Sequence, residues 1–164
     1  MPDNKALFES LYRDYHPLVL QLCRGFMKGD MDLAKDLTQE VFINTWRALG
    51  NYRNEAGYKT WIYRITVNTC LKQIRDTKMK YMVPLNAALT VIPADEAGTA
   101  AGKPYEMLYR AIGALKEVDR LIIMMVLDEL SYEEISRIIG MSEGALRVRI
   151  SRIKKHLKQL IEHE

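Results

Sequence analysis

Apolar residues recur at helical spacing through almost the whole chain, and that period leaves an all-α fold as the main possibility. Leu7, Leu11, Tyr15, Leu18, Leu22 and Phe26 are spaced four, four, three, four and four, one stripe along a helix. Pro17 lies inside the stripe without an N–H to donate, which predicts a kink or a break there. Lys28-Gly29-Asp30 reads as a turn, with Asp30 or Asp32 capping a second helix over residues 31–49. Its core stripe is expected at Leu33, Leu37, Val41 and Phe42, with Trp46 and Leu49 alongside. Residues 50–58 carry Gly50, Asn51, Asn54 and Gly57 and read as a loop. A long helix is predicted over 59–79. Tyr58, Trp61, Ile62, Ile65 and Thr69 form its inner side, and Arg64, Asn68, Lys72 and Arg75 its outer side. Alternating β-branched runs bounded by turns, the mark of strands, are absent from the sequence.

The pattern changes at residues 81–104. Three prolines, two glycines and six alanines replace the charged helical repeat, as in a flexible linker. The chain is thereby expected to form two small helical domains, 1–80 and 105–164. The 24 linker residues span at most about 80 Å at ~3.3 Å each. Helices are predicted near 105–115 and 117–127. Then Ser131-Tyr132-Glu133-Glu134 has the form of a capping box, Gly140 a helix stop, and Ser142 a second cap before a helix to about Leu160.

A short capped helix, a glycine turn and a longer basic helix have the plan of a helix-turn-helix. At about 100° per residue, Leu146, Ile150, Ile153, Leu157 and Leu160 share one side of the last helix. Gly144, Val148, Ser151 and Lys155 lie opposite, flanked by Arg147, Lys158 and Arg152. Gly144 permits a close approach to a groove. Arg147 and Arg152 have the fork geometry for a guanine edge, and Val148 suits a thymine methyl. Arg149 and Lys154 lie at the margins, where phosphates run, and Lys158 is grouped with them.

Charge supports two separate footprints. The net charge of the 164 residues is only +3, but residues 59–80 hold six basic and one acidic residue and 140–164 six basic and three acidic. Residues 1–40 and 105–139 are each net acidic, with seven acidic residues against five and four basic ones. The alternative is charged helix faces that merely solvate a bundle. Five of the fourteen aromatics (Trp46, Tyr52, Tyr58, Trp61 and Tyr63) fall within residues 46–63, beside the first basic block. Aromatics bordering a basic track suit unstacked bases, at about 1–3 kcal/mol per stack. Trp46 and Trp61 stand at core periodicity and also read as packing. The longest apolar run, Leu121–Leu127, is too short to span a bilayer, and the N-terminus lacks the plan of a secretory signal. Cys23 and Cys70 sit in apolar-periodic segments and read as reduced core residues. With His16, His156 and His163 they show no metal-ligand spacing, so no metal or other cofactor is expected. His16, beside Pro17, reads as a turn residue.

The stretch Leu130-Ser131-Tyr132-Glu133-Glu134-Ile135, then Gly140, then Gly144-Ala145-Leu146-Arg147-Val148-Arg149 resembles the −35-reading domain of bacterial RNA polymerase sigma factors. More narrowly it is similar to the small extracytoplasmic-function group. Asp36-Leu37-Thr38-Gln39-Glu40-Val41-Phe42 resembles that group's core-polymerase-binding helix. Tyr52, then Lys59-Thr60-Trp61-Ile62-Tyr63-Arg64-Ile65, then Asn68 resembles its −10-reading segment. Thr38 departs from the pattern, which has an apolar residue there, and Val148 and Ser151 occupy variable base-reading positions.

The resemblance implies a non-catalytic, cytoplasmic subunit of two helical domains. It would bind core RNA polymerase, direct it to promoter DNA and assist duplex opening, with an anti-sigma factor as a further partner. The implied polymerase-binding residues are Asp36, Gln39, Glu40 and Arg47. The implied −10 and melting residues are Asn51, Tyr52, Asn54, Tyr58, Trp61, Arg64, Asn68, Lys72 and Arg75. Those for the −35 groove are Gly144, Arg147, Val148, Ser151, Arg152 and Lys155, with Arg149, Lys154 and Lys158 on phosphates. A helix-turn-helix regulator with an N-terminal sensing or dimerisation domain explains the second half equally well but leaves the basic, aromatic middle helix without a task. A helical adaptor explains only the amphipathicity.

Overall fold

The computed structural model describes residues 3–80 and 103–163. Most of the segment expected to be a linker, 81–104, lies outside them. Seven α-helices make up the described residues: α1 Asn4–Phe26, α2 Met31–Ala48, α3 Tyr58–Lys80, α4 Lys103–Gly113, α5 Glu117–Leu127, α6 Tyr132–Ile139 and α7 Glu143–Glu162. A single 3₁₀ turn, Leu49–Asn51, follows α2. None of the described helices is long and apolar enough to cross a membrane.

The first two helix starts are chemically marked. Asp3 accepts from the Lys5 amide at 3.0 Å to open α1, and Asp30 accepts from the Leu33 amide at 3.0 Å to open α2. Of the kink or break expected at Pro17, the break does not occur: Pro17 sits inside one helix of 23 residues. A proline there forfeits one backbone bond, and α1 is held on both sides of it by burial of Leu11, Val19, Leu22, Cys23 and Phe26. His16 is correspondingly a helical residue rather than a turn residue, stacked on Phe42 at 5.8 Å.

The buried face of α2 is Ala34, Leu37, Thr38, Val41, Phe42 and Thr45. Leu33, expected in the core, is 47% exposed, and Trp46 is 49% exposed. Thr38 and Thr45 are fully enclosed because their hydroxyls donate back along the helix, to Ala34 O at 2.7 Å and Val41 O at 2.8 Å. On α3 the buried residues are Ile62, Tyr63, Thr66, Val67, Thr69 and Cys70, and Asn44 Nδ2 on α2 donates to Thr69 Oγ1 at 3.1 Å. Cys23 and Cys70 are free thiols buried in the same core.

The second half packs α4, α5, α6 and α7 around Ile112, Leu121, Ile122, Met125, Ile135, Leu146 and Ile150. The two halves also pack on each other, α1 against α4 and α5, and α3 against α5 and α6. Gly25 admits this approach: a Cβ there would collide with Met124 Sδ and lie 2.5 Å from its Cγ. Arg120 crosses the boundary. It is 7% exposed, donates from Nε to Phe26 O at 3.0 Å and from Nη1 to Leu115 O at 2.6 Å, and lies over the Phe26 ring. Two backbone carbonyls and a ring face thus satisfy a guanidinium that is otherwise costly to bury.

Candidate nucleic-acid interface

One exposed basic surface is α7, and its presentation begins at the turn before it. Ser131 accepts from the Glu134 amide at 3.1 Å, while Glu134 accepts from the Ser131 amide at 2.9 Å, so the expected capping box is formed. Gly140 stops α6 with φ +79, a conformation a side chain resists. Ser136 Oγ donates to Met141 O across the turn, and Ser142 caps α7 by accepting from the Ala145 amide at 3.3 Å. The result sets where α7 begins. Leu146, Ile150, Ile153 and Leu157 are buried; Gly144, Arg147, Val148, Ser151, Arg152 and Lys155 are exposed. A Cβ on Gly144 would meet nothing within 4 Å, so this start of the helix is open to an approaching groove.

The flanks of α7 differ. Arg147 reaches over the Tyr132 ring at 5.8 Å. Arg149 turns back onto α5, where its Nε donates to Asp119 Oδ1 at 2.6 Å. Lys154 and Lys158, expected beside phosphates, line an apolar groove of about 420 Å³ with Leu108, Ile123, Leu127, Leu157 and Ile161. Lys158 also lies 3.9 Å from Glu162.

In the first half, Tyr52 stacks on Tyr58 at 4.6 Å and 24° and tilts against Trp61 at 4.9 Å. The Tyr52 hydroxyl donates to Ala56 O, which closes the loop on itself. Asn54, at φ +59, and Asn51 stand exposed at its tip. A stacked aromatic pair beside exposed amides offers a π-face to an unstacked base and polar groups to its edge. Asn68, Lys72 and Arg75 are exposed along α3, and Asn68 and Arg75 line a groove of about 490 Å³ with Leu71, Ile74, Lys78, Glu117 and Val118. Arg64 differs from them: it is half-buried, and its Nε donates to Arg137 O on α6 at 3.4 Å. Trp61 is half-buried.

A third surface lies on α2. Asp36, Gln39, Glu40 and Arg47 are all exposed. Leu33 and Ile43, 47% and 45% exposed, fall on the same side by helical spacing. Sequence reasoning missed both; the signal was their three- and four-residue spacing from Asp36, Glu40 and Arg47. It also missed an aromatic cluster across α1 and α2, in which Phe8 meets Trp46 edge-on at 5.2 Å and Tyr12 meets Phe42 at 4.7 Å.

Comparison with known proteins matches residues 11–79 to Sigma-70 region 2 and residues 105–157 to Sigma-70 region 4. The ECF RNA polymerase sigma-E factor of Escherichia coli K12 is 30% identical over 172 residues, 98% of this chain and 88% of that protein. The ECF RNA polymerase sigma factor SigM of Mycobacterium tuberculosis H37Rv is 28% identical over 159 residues, 96% of this chain and 79% of its own length. Among solved structures the fold is similar to the sigma factor RpoE of Bartonella quintana in complex with the anti-sigma factor NepR. There the TM-score is 0.75 and identity 20%, over 94% of this chain and 96% of that one. It is also similar to CnrH in complex with the cytosolic domain of CnrY, with TM-score 0.70 and 20% identity over 98% and 90% of the two chains.

Proposed function

The chain belongs to the extracytoplasmic-function group of RNA polymerase sigma factors, which direct polymerase to promoters without chemistry of their own, and from that premise we propose which of its surfaces does each part of the work. The observation that carries the reading is the opposition of faces on α7. Its aliphatic seam is buried while Gly144, Arg147, Val148, Ser151, Arg152 and Lys155 face outward from a capped turn. A helix presented in this way enters a major groove, where Arg147 and Arg152 read base edges at the −35 element.

The loop at Asn51, Tyr52, Asn54 and Tyr58, with Trp61, takes bases of the melted −10 strand. Arg64, Asn68, Lys72 and Arg75 of α3 guide its backbone. The face of Asp36, Gln39, Glu40 and Arg47, with Leu33 and Ile43 added, docks on core polymerase. Carboxylates beside isolated apolar side chains suit a partner that must be bound and later released. Residues 1–80 and 105–164 act as the two promoter-reading units, in the cytoplasm where the polymerase works. An anti-sigma factor is a fitting regulator, since a sigma factor of similar fold is found in complex with one. The family match over residues 11–79 disfavours a helix-turn-helix regulator with a separate sensing domain.

Run-off transcription with core polymerase and a randomised promoter library tests the reading. The full chain should select discrete −35 and −10 motifs. Asp36→Ala with Glu40→Ala should weaken core binding while the fold, followed by circular dichroism, stays intact. Failure of the wild-type chain to bind core enzyme or to direct initiation would overturn it.

A further inference from the structure

The geometry points to Asp119 of α5 as a positioning residue for −35 recognition, acting through Arg149, which anchors α7 rather than touching DNA. The inference rests on the placement of α7 in the major groove. About the axis of α7, Arg149 lies about 60° from Leu146 on the edge of the buried seam, and about 120° from Lys155 at the centre of the exposed face. Its guanidinium is directed inward, where Nε meets Asp119 Oδ1 at 2.6 Å, within the range of a charge-assisted hydrogen bond. Both side chains are partly covered, 36% and 20% exposed, so the pair is less screened than a surface one. Asp119 sits in the first turn of α5, where the helix dipole favours a carboxylate.

An aliphatic seam of Leu146, Ile150, Ile153 and Leu157 holds α7 down but is non-directional, so by itself it fixes the helix's rotation weakly. A short ion pair between α5 and α7 is directional. It sets the angle at which Arg147 and Arg152 meet base edges, and direct readout depends on that angle. Arg147, two residues from Arg149 and on the other flank, lies over the Tyr132 ring and is exposed, where DNA can reach it.

The test uses the full chain with core polymerase and the promoter fragment that the wild-type holoenzyme enriches most from a randomised library. Asp119→Ala and Arg149→Ala should each weaken binding about tenfold and blur base preference at the −35 positions. The double variant should lose no more than either single change. The dependence of binding on salt should be unchanged in all three. A phosphate-contacting arginine would instead lower the log–log slope by about 0.9 and leave Asp119→Ala without effect. Exchanging the charges, Asp119→Arg with Arg149→Asp, should restore preference, whereas a carboxylate at a phosphate contact would worsen it. Asp119→Asn and Arg149→Gln provide milder versions should the alanine variants unfold. A lowered salt slope for Arg149→Ala, or additive losses, overturns the inference. A wild-type chain that enriches no promoter overturns the proposed function instead.

Discussion

Tyr63 and Asp128 stand 65 residues apart and meet across the two halves, the phenol donating to Asp128 Oδ2 at 2.9 Å. Burial pushes the Asp128 carboxyl above its ordinary value, while the bond from Tyr63 and the charge of Lys59 pull it down by less. Burial, with the facing carboxylate, also raises the Tyr63 phenol. A carboxyl raised in the folded state holds its proton more tightly there than in the unfolded chain. Its contribution to stability is therefore complete below the ordinary carboxylate range and is lost as pH rises through the raised value. Asp128→Asn keeps an acceptor for Tyr63 and cannot ionise. Its urea midpoint relative to wild type should rise with pH across that acid range and level off above it; a difference independent of pH would refute the account. Nothing near Asp128 in sequence marks it for this role, because its partner comes from another helix. The same holds for Asp119, which reads locally as one more acid in a first turn. Arg149, by contrast, was legible as marginal to the exposed face; only its direction was not.

Single helices were the most legible level. The capping box at Ser131 and Glu134, the stop at Gly140 and the cap at Ser142 all depend on neighbours within a few residues, so their types and spacing suffice to find them. Two substitutions measure their weight. Ser131→Ala should cost about 1 kcal/mol of unfolding free energy, and Gly140→Ala, which forces a side chain to φ +79, about 1–2 kcal/mol. Urea titration checks both, and values near zero would mean that packing alone holds the turn. Faces were less legible than ends. On α2, Leu37, Val41 and Phe42 are buried as their period predicts, but Leu33 and Trp46 are exposed, and Ala34, Thr38 and Thr45 complete the buried face. A period fixes which residues share a side but not how far the helix is rotated against its neighbours. Threonines whose hydroxyls are satisfied within the helix can take buried places that an apolar count reserves for leucine. At Pro17, where a kink or a break was expected, the break is excluded. Its local cost is real, but burial along α1 on both sides outweighs it.

At the scale of the molecule, the two halves form one continuous core in this conformation, joined at Gly25 and Met124, at Arg120 and the Phe26 carbonyl, and at Arg64 and the Arg137 carbonyl. The last contact sets a proposed −10 residue against the first helix of the helix-turn-helix. Gly25→Ala probes the join directly. The added methyl cannot be accommodated by moving only the tip of Met124, since Cγ is also within 2.5 Å. The expected loss is about 1–3 kcal/mol. Met124→Ala alone should cost about 2–5 kcal/mol through the cavity it leaves, but much less in the Gly25→Ala background, where the methyl fills part of that space. Additive losses in the double-mutant cycle would show that the two residues do not bear on each other.

What the sequence determined by itself was the all-α class, the ends of most helices, the helix-turn-helix and the residues of its exposed face. All of these follow from interactions within a turn or two of the chain. The tertiary structure decided which way α2 is rotated, which arginines of α7 stay exposed, and how the two halves meet. Those outcomes depend on contacts between residues tens of positions apart. Helical period constrains which residues share a side, but packing, burial and single ion pairs such as Arg149 with Asp119 choose the partner.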